Sequence, residues 1–219
     1  MVCTVMKYQA DGWGLGYVIA GHYNLNTDWK LGFRYMSAAD LEMKGTVEDH
    51  PQIKIATMKG KLKLPSSLTL GCANNSVENW IFSFDVLWTD WSRCQKLLIE
   101  PNSAGQTLGG LIADKNWVDT FSYRFGAEYR ANPTWTWRAG YVYDNNPVPD
   151  TTRSFELPGS DGQIFSFGFT RKGKVWDFDF GYSYMMLKNI KAGTDTLNGI
   201  GNFNNGYNHF AGINLSRAF

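Results

Sequence analysis

Apolar and polar residues change places at every step over long stretches of this chain. From Trp117 to Arg130 one alternate set holds Trp117, Asp119, Phe121, Tyr123, Phe125, Ala127 and Tyr129, while the other includes Thr120, Ser122, Arg124, Gly126, Glu128 and Arg130. A helix would scatter both sets around its circumference, whereas a strand sends them to opposite faces. The same rhythm recurs at Trp80–Thr89, Trp135–Asp144, Phe165–Thr170 and Trp176–Met186. Weaker alternation covers roughly 12–24, 28–48 and 54–74, and a last strand runs over about 206–219. The reading is about nine antiparallel strands, with no helical domain, linker or low-complexity tract.

The predicted connections alternate in length. Short turns fall at 24–28, 74–79, 131–134 and 172–174, and longer links at about 49–53, 99–115, 145–162 and 191–205. Tight turns at one end and longer loops at the other are the layout of an outer-membrane barrel. Trp29, Trp80, Trp135 and Trp176 all stand next to the short turns. A tryptophan girdle at one membrane interface accounts for that placement.

Composition sharpens the picture. The 219 residues include 9 Trp, 11 Tyr, 14 Phe and 23 Gly, yet the mean hydropathy is −0.32. Such a chain must interleave greasy and polar residues, and it has no apolar run of the ~18–20 residues a transmembrane helix requires. A formal net charge of +1 offers no broad basic field for nucleic acid. Met1–Lys7 has neither an apolar stretch nor a small-residue cleavage site, so no signal peptide is read here. Cys3, Cys72 and Cys94 match no zinc spacing, and hairpin register would keep Cys72 and Cys94 too far apart to bridge. His22, His50 and His209 are scattered, so no metal site is expected and no cofactor is implied.

Alternation alone leaves open which face is inside. A soluble sandwich or lipid-binding β-barrel would turn the apolar face inward. The aromatic character of that face, the unequal connections and the terminal Phe219 favour an antiparallel transmembrane β-barrel instead. Phe219, preceded at alternate positions by Ala211, Ile213 and Leu215, resembles the signal read by the barrel assembly machinery, with Arg217 interrupting where an aromatic is more usual.

Several segments then resemble one family, the outer-membrane long-chain fatty-acid transporters of the FadL type, which include importers of aromatic hydrocarbons. The segments are Leu64–Gly71, Asp85–Ser92, Trp117–Thr120 with Arg124, Gly126, Glu128 and Tyr129, and above all Arg138–Arg153 followed by Leu157 and Pro158. The resemblance implies a fourteen-stranded barrel about twice this length, with a plug formed by an N-terminal segment. The expectation is therefore that residues 1–219 are the C-terminal part of a single barrel domain, with plug and first strands missing. An open sheet in hydrocarbon would leave backbone groups bare. The family usually continues its Leu-Pro with acidic residues and an arginine, whereas here Gly159–Gln163 follows.

The resemblance further implies passive transport of a hydrophobic small molecule, by a monomer in contact with outer-membrane lipid, in a Gram-negative bacterium. By alternation, Arg124 and Arg138 share the polar face with Asp85, Glu128, Arg130, Asp144, Asp177 and Asp179. A guanidinium could pair a fatty-acid carboxylate through two parallel hydrogen bonds, or these charges could pair with each other in a wet lumen. In the 145–162 loop Pro147, Val148 and Pro149 form a stiff motif, Arg153 could tie the loop or face ligand, and Phe155 and Leu157 could line a greasy path or pack the loop. A barrel enzyme of the lipase kind, or a purely structural barrel, is the alternative. A lipase needs Ser and His on neighbouring strands, and Ser183 with His209 is the pair on offer.

Overall fold

The computed structural model describes residues 7–50, 53–103, 106–107, 111–153, 159–191 and 202–217. Its strands, in chain order, are β1 (Lys7–Trp13), β2 (Val18–Asn24), β3 (Trp29–Met36), β4 (Ala39–His50), β5 (Ile53–Leu64), β6 (Ser67–Asn74), β7 (Trp80–Thr89), β8 (Lys96–Ser103), β9 (Gln106–Thr107), β10 (Leu111–Asp114), β11 (Thr120–Arg130), β12 (Trp135–Asp144), β13 (Gly162–Arg171), β14 (Asp177–Leu187), β15 (Ile190–Lys191), β16 (Asn202–Phe203) and β17 (Tyr207–Ser216). Nine of them form one antiparallel sheet in the order β17-β14-β13-β12-β11-β7-β6-β3-β2. Every strand there pairs with its neighbour along the chain once the excursions 37–66 and 90–119 and the small β15–β16 pair are set aside.

The four short turns are pinned by side chains that mimic backbone. Asn26 Oδ1 accepts from the N–H groups of Asp28 at 2.9 Å and Trp29 at 2.8 Å. Asn132 Oδ1 does the same for Thr134 and Trp135, both at 2.9 Å. Asn74 Oδ1 takes the Ser76 N–H at 3.2 Å, and Asp177 Oδ1 that of Gly173 at 3.1 Å. Asn and Asp favour such turns because they offer the acceptor locally.

A second sheet, β1-β4-β5-β8-β10 with β9 beside β8, continues the first. Its order repeats β2-β3-β6-β7-β11, so five strands run on past a line of breaks. The breaks have visible causes: Gly14 and Gly16, Pro65 without an N–H for the ladder, a 3₁₀ turn at Trp91–Arg93, and Asn116 at a φ of 46°. The line is bonded across: Ser37 N–H to Tyr17 O at 2.9 Å, Asp90 N–H to Ser66 O at 3.0 Å, Lys115 N–H to Gln95 O at 2.7 Å. Three long strands expected over 12–24, 28–48 and 54–74 are thus each split in two. Across the link expected at 49–53, β4 and β5 pair with His50 opposite Ile53, and that at 99–115 carries β8 to β10. Trp117 lies before β11 rather than in it.

No ordinary core accompanies these sheets. Among the described residues only Val148 is a buried apolar side chain, while Phe125, Phe167, Ile213 and many others are exposed. The accessible surface is 15166 Å², against about 10,000 Å² expected of a globular protein of this mass. The apolar side chains of the nine-stranded sheet are gathered on one face, the arrangement of a barrel wall that meets lipid.

Candidate functional site

Register turns the alternation into two surfaces. Directly opposed residues share a face, and the opposed pairs run right across the nine-stranded sheet. Through Phe84–Phe125–Tyr141–Phe165–Tyr184 the greasy face is continuous. Its rings touch across strands: Trp80 and Tyr129 centroids lie 4.7 Å apart, Phe84 and Phe125 4.7 Å, Trp137 and Phe169 5.3 Å. Each such pair contributes about 0.2–1 kcal/mol.

The other face is polar and small. One row reads Ala73, Ser83, Gly126, Gly140, Ser166, Ser183, Phe210. The next reads Ile81, Glu128, Arg138, Gly168, Gly181, Gly212. Where the glycines adjoin there is nothing to fill the space: a Cβ at Gly181 or Gly212 would meet no atom within 4 Å. The result is a groove of about 560 Å³ with Arg138, Ser166, Ser183 and Phe210 around it.

A chain of charge-assisted bonds edges this groove. Glu128 accepts from Arg130 Nε at 3.0 Å and from Arg138 Nε at 2.9 Å. Arg138 Nη1 donates to Thr170 Oγ1 at 2.7 Å, and Thr170 in turn donates to Asp179 Oδ1 at 2.5 Å. Asn214 Nδ2 closes the run on Asp179 Oδ2 at 3.1 Å. Five strands, β11 to β14 and β17, are tied by one network. Arg138 keeps its Nη2 without a partner among the described residues. Arg124, one row pair away on β11, has only a loose ion pair with Asp85, 3.6 Å from Nη1 to Oδ1. Both arginines singled out from sequence therefore share the polar face, as expected, but each already has an acidic neighbour.

Arg153 behaves differently. It is buried, and its guanidinium donates to Val148 O at 3.2 Å, to Gly159 O at 3.1 Å and to Asp150. Asn146 assists, donating Nδ2 to Val148 O at 2.9 Å and its N–H to Asp161 Oδ1 at 3.0 Å, and Pro147 O receives the Val118 N–H at 3.0 Å. Arg153 thus ties the Pro147–Val148–Pro149 loop. The same loop walls a cavity of about 630 Å³ with Asp161, Lys188 and Ile190. Phe155, Leu157 and Phe219 lie outside the described residues.

The lipase pair does not form. Ser183 belongs to the polar face and bonds Ser166 at 2.8 Å, whereas His209 is on the aromatic face with its Nδ1 2.6 Å from the Tyr182 hydroxyl. Cys72 and Cys94 are both free thiols. Cys94 Sγ donates to Lys63 O at 2.9 Å beside the line of breaks, and Cys72 opposes Phe84 on the outward face.

Comparison with known proteins gives the same architecture. Residues 2–212 match the family described as outer membrane protein transport protein (OMPP1/FadL/TodX). The long-chain fatty acid transport protein of Escherichia coli O6:H1 is 28% identical over 205 residues, which cover 85% of this chain and 45% of that protein. The 47 kDa outer membrane protein of Pasteurella multocida is 25% identical over 183 residues, 76% of this chain and 42% of its own length. The chain spans about half the length of the curated relatives it matches. Among solved structures, a FadL homologue of Pseudomonas aeruginosa superposes with a TM-score of 0.74 at 20% identity, over 91% of this chain and 50% of that one. The toluene transporter TbuX of Ralstonia pickettii gives 0.63 at 21% identity, over 84% and 46%. With one greasy face, one polar face and a matched family model, this chain belongs to the outer membrane transport proteins of the OMPP1/FadL/TodX family, antiparallel β-barrels of the Gram-negative outer membrane.

Proposed function

We propose that this chain supplies the last nine strands of a fourteen-stranded, monomeric barrel that carries long-chain fatty acids or similar hydrophobic molecules across the outer membrane, without nucleotide or cofactor. The observation that carries the reading is the inner groove. Its floor of Gly168, Gly181 and Gly212 leaves room for an acyl chain, and Arg138 stands at its side with one guanidinium nitrogen unpartnered among the described residues. Arg124, held among the described residues by Asp85 alone, is the second cation a carboxylate would meet. The cavity under the Pro147–Pro149 loop, where Val118, Val148, Pro149 and Ile190 stand among polar and charged neighbours, would be the first shelter a ligand meets, its loop tied by Arg153. A neutral aromatic hydrocarbon is the second reading. It is favoured by the likeness to TbuX, a toluene transporter by description, and it needs neither arginine.

The test is uptake by cells lacking their own importer. Each cell line makes either this chain behind a signal peptide or the chain preceded by its genome's upstream coding sequence. The proposal expects oleate uptake and heat-modifiable migration only from the longer product, and a several-fold fall in oleate but not toluene uptake for R124Q/R138Q. Uptake of neither molecule by a folded long product contradicts transport. An undiminished oleate rate in the double variant removes the arginines from the path.

A further inference from the structure

One basic cluster plays no part in the groove. It lies at the short-turn end, on the aromatic face, where β13 and β17 end and β14 begins. Arg171 continues the outward row of Phe165, Phe167 and Phe169, and in register it opposes Trp135 on one side and Phe178 on the other. Phe178 opposes Leu215, two residues before Arg217. The Arg217 guanidinium carbon lies 5.7 Å from the centre of the Trp176 ring. Lys172 and Lys174 complete the turn, both exposed. Among the described residues, Arg171, Lys172 and Lys174 form no ion pair. The acidic residue of the turn, Asp177, belongs to the inner set and holds the Gly173 N–H.

Four cations and two tryptophans therefore crowd one end of the aromatic face across β12, β13, β14 and β17, about 14 Å at the usual strand spacing. The other short turns have nothing like it: 24–28 carries Asp28, 74–79 carries Glu78 and 131–134 carries no charge. Cations at the end of a lipid-facing aromatic row would be driven out of hydrocarbon and up to the headgroup layer, their stems covering apolar surface. Indole rings prefer that same depth. A guanidinium pairs phosphate oxygens through parallel N–H donors, and an ammonium adds a compact charge beside it.

We infer that Arg171, Arg217, Lys172 and Lys174, with Trp135 and Trp176, form a site for the phosphate headgroup of an anionic phospholipid in the leaflet facing the short turns. The site gives Arg217 a role where an aromatic residue was expected, and it anchors the closing strand, β17, to the same lipid that holds the β13–β14 turn. It rests on the outward orientation of the aromatic face and is independent of what the barrel transports.

The test is electron paramagnetic resonance of the full-length protein reconstituted in phosphatidylcholine with spin-labelled phosphatidylglycerol or spin-labelled phosphatidylcholine. The motionally restricted fraction reports lipid held at the wall. One basic side chain near an anionic surface is worth about five-fold in association, so the protein should prefer phosphatidylglycerol by at least that factor. The preference should vanish in R171Q/R217Q/K172Q/K174Q, persist in R171K/R217K, persist in K61Q/K63Q on the second sheet, and fall in high salt. Heat-modifiable migration certifies that each variant is folded. Should the quadruple variant not fold, the salt series on the unaltered protein and R171Q/R217Q decide. Equal affinity for the two lipids in the unaltered protein, or a preference that outlives the loss of all four charges, would overturn the inference.

Discussion

Gly168 and Gly181 stand directly opposite each other on β13 and β14, on the same inner face, and alanine should affect them in opposite directions. A Cβ on Gly181 meets nothing within 4 Å. It restricts the unfolded chain and costs the folded one nothing, so G181A should stabilise the protein by about 0.5–1 kcal/mol. A Cβ on Gly168 would stand 2.8 Å from the Phe180 carbonyl oxygen and 3.5 Å from the Gly181 Cα, both backbone atoms of the neighbouring strand. That contact cannot be relieved by a rotamer change, and forced shifts of packed groups cost about 1–3 kcal/mol. Alanine restricts the unfolded chain alike at both positions, so the two variants should differ by about 1–3 kcal/mol, the cost of the contact alone. Urea unfolding in detergent micelles, followed by tryptophan fluorescence with slopes checked for equality, measures the difference. If G168A proves as stable as G181A, the packing argument for this row is wrong. Extending Gly181 to leucine separates stability from transport. G181L should fold normally yet slow oleate uptake by filling the groove, and unimpaired uptake would move the path elsewhere.

Other expectations follow from the same contacts. E128Q removes the negative charge and one of the two oxygens that accept from Arg130 and Arg138, both about half exposed, so a loss near 1 kcal/mol in the same unfolding assay is expected. A loss above about 3 kcal/mol would mean the network is far less solvated than its exposure indicates. R153M strips the loop of its buried donor and leaves the carbonyls of Val148 and Gly159 without it, at about 1–3 kcal/mol locally. Limited proteolysis should then cut within 145–161 while the nine-stranded sheet stays heat-modifiable. Burial, followed by the nearby Asp90 carboxylate, pushes the Cys94 thiol above its ordinary range. In a C3S/C72S background a water-soluble maleimide should therefore label Cys94 more slowly than a model thiol at pH 8. The gap should narrow as pH rises and shrink in D90N. Equal rates at pH 8 would contradict the burial.

The strands were legible where alternation is strict. β7, β11, β12 and β14 fall within one to three residues of the expected bounds, because a period of two leaves a strand no other way to separate Phe121, Tyr123 and Phe125 from Ser122 and Arg124. The second sheet was not legible. Near the breaks the alternation only falters, at Tyr35–Met36, Ala38–Ala39 and Ser66–Ser67, too briefly to mark a change of pairing, and Pro65 alone points to a lost ladder bond. The membership of the inner face followed from parity, which is why Arg124 and Arg138 fell together with Glu128 and Asp179. Their bonding did not follow, because it depends on register: Glu128 faces Arg138 across β11–β12, and a slip of two residues would have given Arg138 a different partner. Arg217 looked like an interruption in sequence, and its stacking on Trp176 depends on the β14–β17 register that no local pattern encodes.

The central claim is that this wall shows its aromatic face to lipid and its small polar face to water within the outer membrane. Cysteines placed at Ser166 and at Phe167, neighbours on β13 with opposite faces, test it most directly in a C3S/C72S/C94S background of the full-length protein. In intact outer membranes a small charged thiol reagent should label the cysteine at 166 and leave that at 167 unreacted until detergent is added. Ready labelling at 167 with none at 166 would mean that the aromatic face is wet, and the barrel account would fail.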